Sequence, residues 1–137
     1  MSAKRLIIHT DGASRGNPGP AAIGVVIRDE QGRVIAKISE AIGRTTNNRA
    51  EYFALIAGLE EALRLGAERV DLRMDSELIV RQLTGQYRVR NPALKPLFAE
   101  AFQLLRKFQS SSIQHIPREH NREADALTRH ALRKAGS

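Results

Sequence analysis

The chain has 137 residues, with 22 Lys and Arg against 15 Asp and Glu, a formal charge of +7 and an isoelectric point near 10.5. It contains no cysteine, which removes disulfides, thiolate metal sites and cysteine nucleophiles, and no apolar run approaches the ~20 residues of a membrane span. The positive excess fits either a polyanionic partner such as nucleic acid or ordinary solubilising charge, while four Phe, two Tyr and no Trp argue against rows of aromatic stacking platforms.

The basic start, Met1 to Arg5, is followed by only Leu6-Ile7-Ile8, too short an apolar stretch for a secretory leader. The expected setting is therefore cytoplasmic, with residues 1–137 forming one domain. Residues 4–11 read as a strand from their apolar run and β-branched content. Asp11 closes it, just before a stretch rich in Gly and Pro. Ile23 to Arg28 reads as a second strand and Arg33 to Ala41 as a third. Asp29-Glu30-Gln31-Gly32 between them is turn-like, so the two form an antiparallel hairpin. From Asn47 or Asn48 to Leu65, the residues Tyr52, Leu55, Ile56, Leu59 and Leu63 recur at helical spacing, and Gly66 stands where a helix ends.

Val70 to Asp75 alternates Val70, Leu72 and Met74 with Asp71, Arg73 and Asp75, a strand pattern. Ser76 is the expected N-cap of a helix reaching about Thr84, with Glu77 in its first turn. Gly85 to Pro96 breaks the pattern and is basic, carrying Arg88, Arg90 and Lys95. A helix of about Pro96 to Phe108 follows. Ser110-Ser111-Ser112 reads as a turn, Ile113 to Ile116 as a short strand closed by Pro117, and Asn121 as the cap of a last helix. This order predicts an α/β three-layer sandwich: a five-stranded mixed sheet, first three strands antiparallel and last two parallel, with helices on both faces.

Four carboxylates occupy positions where acids are costly. Asp11 and Asp75 end strands that, in parallel pairing, finish at one edge of the sheet, where α/β sites form. Glu51 shares a helix face with Leu55 and Leu59, and Asp125 sits in the first turn of the last helix. Each has a structural alternative: a strand-end turn for the two Asp, the helix dipole for Glu51 and Asp125. Brought together they would repel, and would stay ionised only with a cation between them. Four scattered His and no Cys leave an oxygen ligand set, which selects hard ions, Mg²⁺ or Mn²⁺. Two such ions can activate a water and stabilise the leaving oxygen of a phosphodiester.

The stretches "TDGASRGNPGPAAIG", "TTNNRAEYFALIAGLEEAL", "LRMDSELIVRQL" and "PREHNREADALTRHAL" resemble, in order and spacing over about residues 5–133, the type 1 ribonuclease H family. The match is to its compact prokaryotic form. The resemblance implies a ribonuclease H-like fold, two Mg²⁺ ions held by Asp11, Glu51, Asp75 and Asp125, and an RNA–DNA hybrid as partner. The RNA strand would be cut to leave 3′-hydroxyl and 5′-phosphate ends. It also implies that the Gly-rich turn beginning at Gly12 lets backbone approach the RNA strand, and that Asn17 and Asn47 touch 2′-hydroxyls or base edges. Thr46, with Arg49, would hold a phosphate of the DNA strand. Asn47 equally suits a helix cap.

The departures from the family pattern are local. Glu77 replaces a common Gln, and an ionised carboxylate cannot donate a hydrogen bond. The long basic handle of many members is reduced to "TGQYRVRNPALKPL", in which Arg88, Arg90 and Lys95 either contact phosphate or are solvated loop charge. His120 stands near the mobile His of many members, and Arg118 could act instead by stabilising phosphate charge. His9, His115 and His130 read as structural. No obligate protein partner and no membrane are expected. Rival readings are a strand-transfer or 3′→5′ exonuclease domain of similar architecture, which lacks the G-N-P-G and T-N-N-R pieces together, a hybrid-binding relative without turnover, and a basic RNA-binding domain.

Overall fold

A computed structural model describes residues 4–136. Residues 1–3, the start of the basic N-terminal segment, and residue 137 lie outside the described residues. The elements run β1 (Arg5–Ser14), β2 (Gly19–Arg28), β3 (Val34–Thr45), α1 (Asn47–Arg64), β4 (Arg69–Met74), α2 (Glu77–Leu83), α3 (Lys95–Leu105), β5 (Ser110–His115) and α4 (Arg122–Ala135). A single 3₁₀ turn, Arg118–His120, precedes α4. The sheet order is β3-β2-β1-β4-β5. β1–β2 and β2–β3 are antiparallel, while β1–β4 and β4–β5 are parallel, as the element order predicts.

One face of the sheet carries the main core. Leu6 and Ile8 of β1, Val25 and Ile27 of β2, and Leu72 and Met74 of β4 meet Tyr52, Leu55 and Leu59 of α1, with α2 and α3 closing the cluster through Ile79, Leu83, Leu97 and Leu104. The period of two in the strands and the helical period in α1 put these residues on facing surfaces. Tyr52 is fully buried, and its hydroxyl donates to Gln82 Oε1 at 2.6 Å, so the polar end is satisfied. The other face is covered by α4, where Ala131 and Leu132 pack on Ala22.

Three local expectations change. Ser110, Ser111 and Ser112 are the first half of β5, in register with Arg69, Val70 and Asp71. Ladder bonds to β4 override their turn preference, and the Ser112 hydroxyl donates to Asp71 Oδ1 at 2.8 Å. The N-cap of α1 is Thr46, whose Oγ1 accepts from Arg49 N, and Asn47 is the first helical residue. Asn121 precedes α4 but makes no side-chain cap bond; its amide is used elsewhere, as described below. Gly66, at φ +83°, follows the last residues of α1 as expected.

Candidate active site

Parallel pairing of β1 with β4 sets Thr10 beside Met74. The next residue on each strand is an acid, so Asp11 and Asp75 emerge side by side at one sheet edge. α1 delivers Glu51 from the side. That approach depends on Gly12: a Cβ there would lie 2.3 Å from Ala50 O, well inside contact distance. The close approach allowed by this glycine is thus to the backbone of α1, and Gly12 N–H donates to Glu51 Oε1 at 2.6 Å. α4 comes in over β2 at Gly24, where a Cβ would meet Ala124 O at 2.1 Å. Gly24 pairs with Asp11 across β1–β2, so the same contact places Asp125 over the cleft.

The cleft encloses about 360 Å³ and is lined by all four acids together with Gly12, Asn47, Ser76 and Arg118. Asp11, Glu51 and Asp75 each offer an oxygen within 4.8 Å of the others. Asp11 and Glu51 are each only 8 % exposed. Burial pushes the Asp11 carboxyl up to about 7, with the charges of Asp75 and Asp125 adding to it and Arg118 and the nearby Thr128 hydroxyl, which donates to the Asp11 backbone carbonyl, opposing. Glu51 is raised well above the usual carboxylate range, first by burial and then by Asp11, against the Gly12 N–H bond. Asp11 Oδ2 is buried without a hydrogen-bond partner. Crowded, desolvated carboxylates with one oxygen lacking a donor fit a hard divalent cation, which satisfies such oxygens and lowers their affinity for protons.

Asn121 is an unforeseen member of this site. It is 1 % exposed, and its Nδ2 donates to Thr10 O at 2.9 Å and to Asp75 Oδ2 at 3.3 Å. It thereby ties the start of α4 to β1 and orients Asp75. In sequence it reads only as a helix cap, because the partner backbone lies 111 positions away.

The remaining predicted residues divide by location. Arg118 lines the cleft, whereas His120 lines two neighbouring cavities with His9 and not the acidic one. Asn17 and Asn47 are exposed and join the Gly-rich turn to α1: Asn17 Oδ1 accepts from Asn47 N at 3.0 Å, and Asn47 Oδ1 from Ser14 N at 3.3 Å. Their amide NH₂ groups remain for other acceptors. Arg49 is engaged, with Nε donating to Thr45 Oγ1, Nη1 to Ala93 O at 2.6 Å, and the guanidinium 5.3 Å from the Phe53 ring centroid. It clamps the segment before α3 onto α1. Glu77 lies outside the cleft and accepts from Arg81 Nε at 2.8 Å. Arg88, Arg90 and Lys95 are exposed, and their side chains make no hydrogen bonds or ion pairs among the described residues.

A family model described as reverse transcriptase-like matches residues 9–131. Ribonuclease HI of Halobacterium salinarum is 48 % identical over 93 % of this chain and 64 % of its own length. The bifunctional protein Rv2228c of Mycobacterium tuberculosis is 43 % identical over 93 % of this chain, which spans only 35 % of that protein. Among solved structures, LC11-RNase H1, isolated from compost by a metagenomic approach and crystallised in complex with an RNA/DNA hybrid, superposes with a TM-score of 0.92 at 49 % identity, covering 96 % of this chain and 99 % of that one.

Proposed function

The chain belongs to the type 1 ribonuclease H family, and from that premise we propose that it hydrolyses the RNA strand of RNA–DNA hybrids. The observation that carries the reading is the cluster of Asp11, Glu51 and Asp75, with an oxygen of each within 4.8 Å of the others and Asp11 Oδ2 buried without a donor, beside Asp125. These four would hold two Mg²⁺ ions, with Mn²⁺ as a substitute. When bound, the ions supply Lewis acidity and charge neutralisation at a phosphodiester. Water oxygen bonds to phosphorus, the bond from phosphorus to the 3′-oxygen breaks, and that oxygen takes a proton. The products are a 3′-hydroxyl and a 5′-phosphate.

The chain's own residues do the positioning. Gly12 N–H and Asn121 hold Glu51 and Asp75 in their rotamers. Arg118, within the cleft, stabilises charge on the phosphoryl oxygens; its place in the cleft favours it over His120. The free NH₂ groups of Asn17 and Asn47 serve 2′-hydroxyls or base edges of the RNA strand, beside the backbone of Gly12. The Thr46 hydroxyl, which accepts as the α1 cap, still has its proton to donate to a DNA-strand phosphate. Arg49 can join it through Nη2 and the second N–H of Nη1, since Nε and one N–H of Nη1 are taken. Glu77 contributes as an acceptor, and Arg88, Arg90 and Lys95 as exposed phosphate contacts. Residues 1–137 act as one ribonuclease H domain, monomeric and cytoplasmic.

The test is cleavage of a labelled RNA–DNA hybrid, an RNA duplex and single-stranded RNA, each with Mg²⁺, Mn²⁺ or chelator. Metal-dependent cut of the hybrid alone supports the reading, and cleavage that persists in chelator excludes it.

A further inference from the structure

The fourth acid stands apart from the other three. Asp125 lines the cleft, yet its carboxylate is outside the trio whose oxygens lie within 4.8 Å of one another. It is bound instead to Arg129, one helical turn on, with Nη2 to Oδ2 at 2.9 Å. The carboxylate is sheltered and the guanidinium is in water: the side chains are 18 % and 63 % exposed. On the outer side of Asp125, Arg129 shares a second cavity with Arg118 and Arg122.

We propose that Arg129 is a positioning residue that competes with the divalent ion for Asp125, holding the fourth carboxylate out of the metal set of the free protein. The inference rests on the reading that the acidic cleft binds divalent ions. A guanidinium on Oδ2 neutralises the charge that attracts a cation and fixes the carboxylate's orientation. The pair is an i,i+4 one whose guanidinium lies in water, and ion pairs open to water on one side are weak and readily displaced. A buried pair would keep Asp125 from metal altogether, and no pair would leave a further like charge pressing on the trio. Arg122 lines the same outer cavity but makes no ion pair among the described residues, so it serves as a control of equal charge.

The experiment is calorimetric titration of Mn²⁺ into the protein without nucleic acid, at low ionic strength. Arg129→Gln is expected to bind about two- to five-fold more tightly than the wild type, the range set by an ion pair open to water on one side. Arg122→Gln should shift less, and the gain from Arg129→Gln should vanish in an Asp125→Asn background. The inference is overturned if Arg129→Gln leaves affinity unchanged, if Arg122→Gln gives an equal gain, or if the gain survives Asp125→Asn. A wild type that binds Mn²⁺ no better than Asp11→Asn does would remove the metal reading itself, and this inference with it.

Discussion

Replacing Asp11 by Asn should stabilise the metal-free protein while removing its activity. The folded carboxyl is raised from 3.8 to about 7, chiefly by burial. Between those values the unfolded chain has released its proton and the folded chain still holds it. Stability is therefore lost as pH climbs through this window, and the loss is complete above it. A shift of this size corresponds to about 4 kcal/mol as an upper bound at 1.36 kcal/mol per pKa unit. Asn keeps the shape, removes the charge, and can donate its NH₂ to the carboxylates of Glu51 or Asp75. A net gain of about 2 to 4 kcal/mol is expected, which for a domain of this size is a Tm increase on the order of 10 °C. The assay is thermal unfolding in chelator across the pH range, repeated with millimolar Mg²⁺. The variant should exceed the wild type above about pH 7, the two should converge near pH 4, and Mg²⁺ should raise the wild-type Tm much more than the variant's. A variant no more stable than wild type at alkaline pH in chelator would refute the claim that Asp11 is held under electrostatic strain.

Gly12→Ala drives a Cβ into Ala50 O and should destabilise by ~3 kcal/mol or more through backbone displacement, read by urea unfolding, with hybrid cleavage falling in parallel; a stable, active variant would contradict the close β1–α1 approach. Arg118→Ala should lower kcat by roughly 10²-fold, in the range of lost transition-state charge stabilisation, and His120→Ala should leave kcat within a few-fold; the reverse ranking in steady-state kinetics would move the phosphate role to the histidine. Changing Arg88 and Arg90 together to Ala should raise KM, flatten the salt dependence of hybrid binding by up to about two phosphate contacts and spare kcat, and an unchanged salt slope would make them spectators.

Much of the fold is readable from local pattern. The apolar alternation of β4, the helical recurrence of Tyr52, Leu55 and Leu59, and Gly66 at a helix end all follow from short-range rules, and the structure follows them. The serines of β5 do not, because their strand state comes from the ladder to β4 and not from their own preference. The cap of α1 moves by one residue, since Thr46 takes the bond that Asn47 could have made, while Asn47 is drawn to Ser14 and Asn17. At the site, the four acids stand out in the sequence because charge at strand ends and on an apolar helix face is expensive. What holds them is not visible there. Asn121 reads as a cap and turns out to brace Asp75, and Gly12 serves the packing of α1.

By itself, then, the sequence determined which residues can carry charge, bend the chain or fill a core, and through its motifs the family to which the chain belongs. Only the tertiary structure decided that buried Asp11 and Glu51 crowd against half-buried Asp75 while Asp125 pairs with Arg129. Side-chain chemistry and helix or strand period are local properties. The spacing of carboxylates from β1, α1, the end of β4 and α4 is set by backbone contacts at Gly12 and Gly24, between residues far apart in the chain.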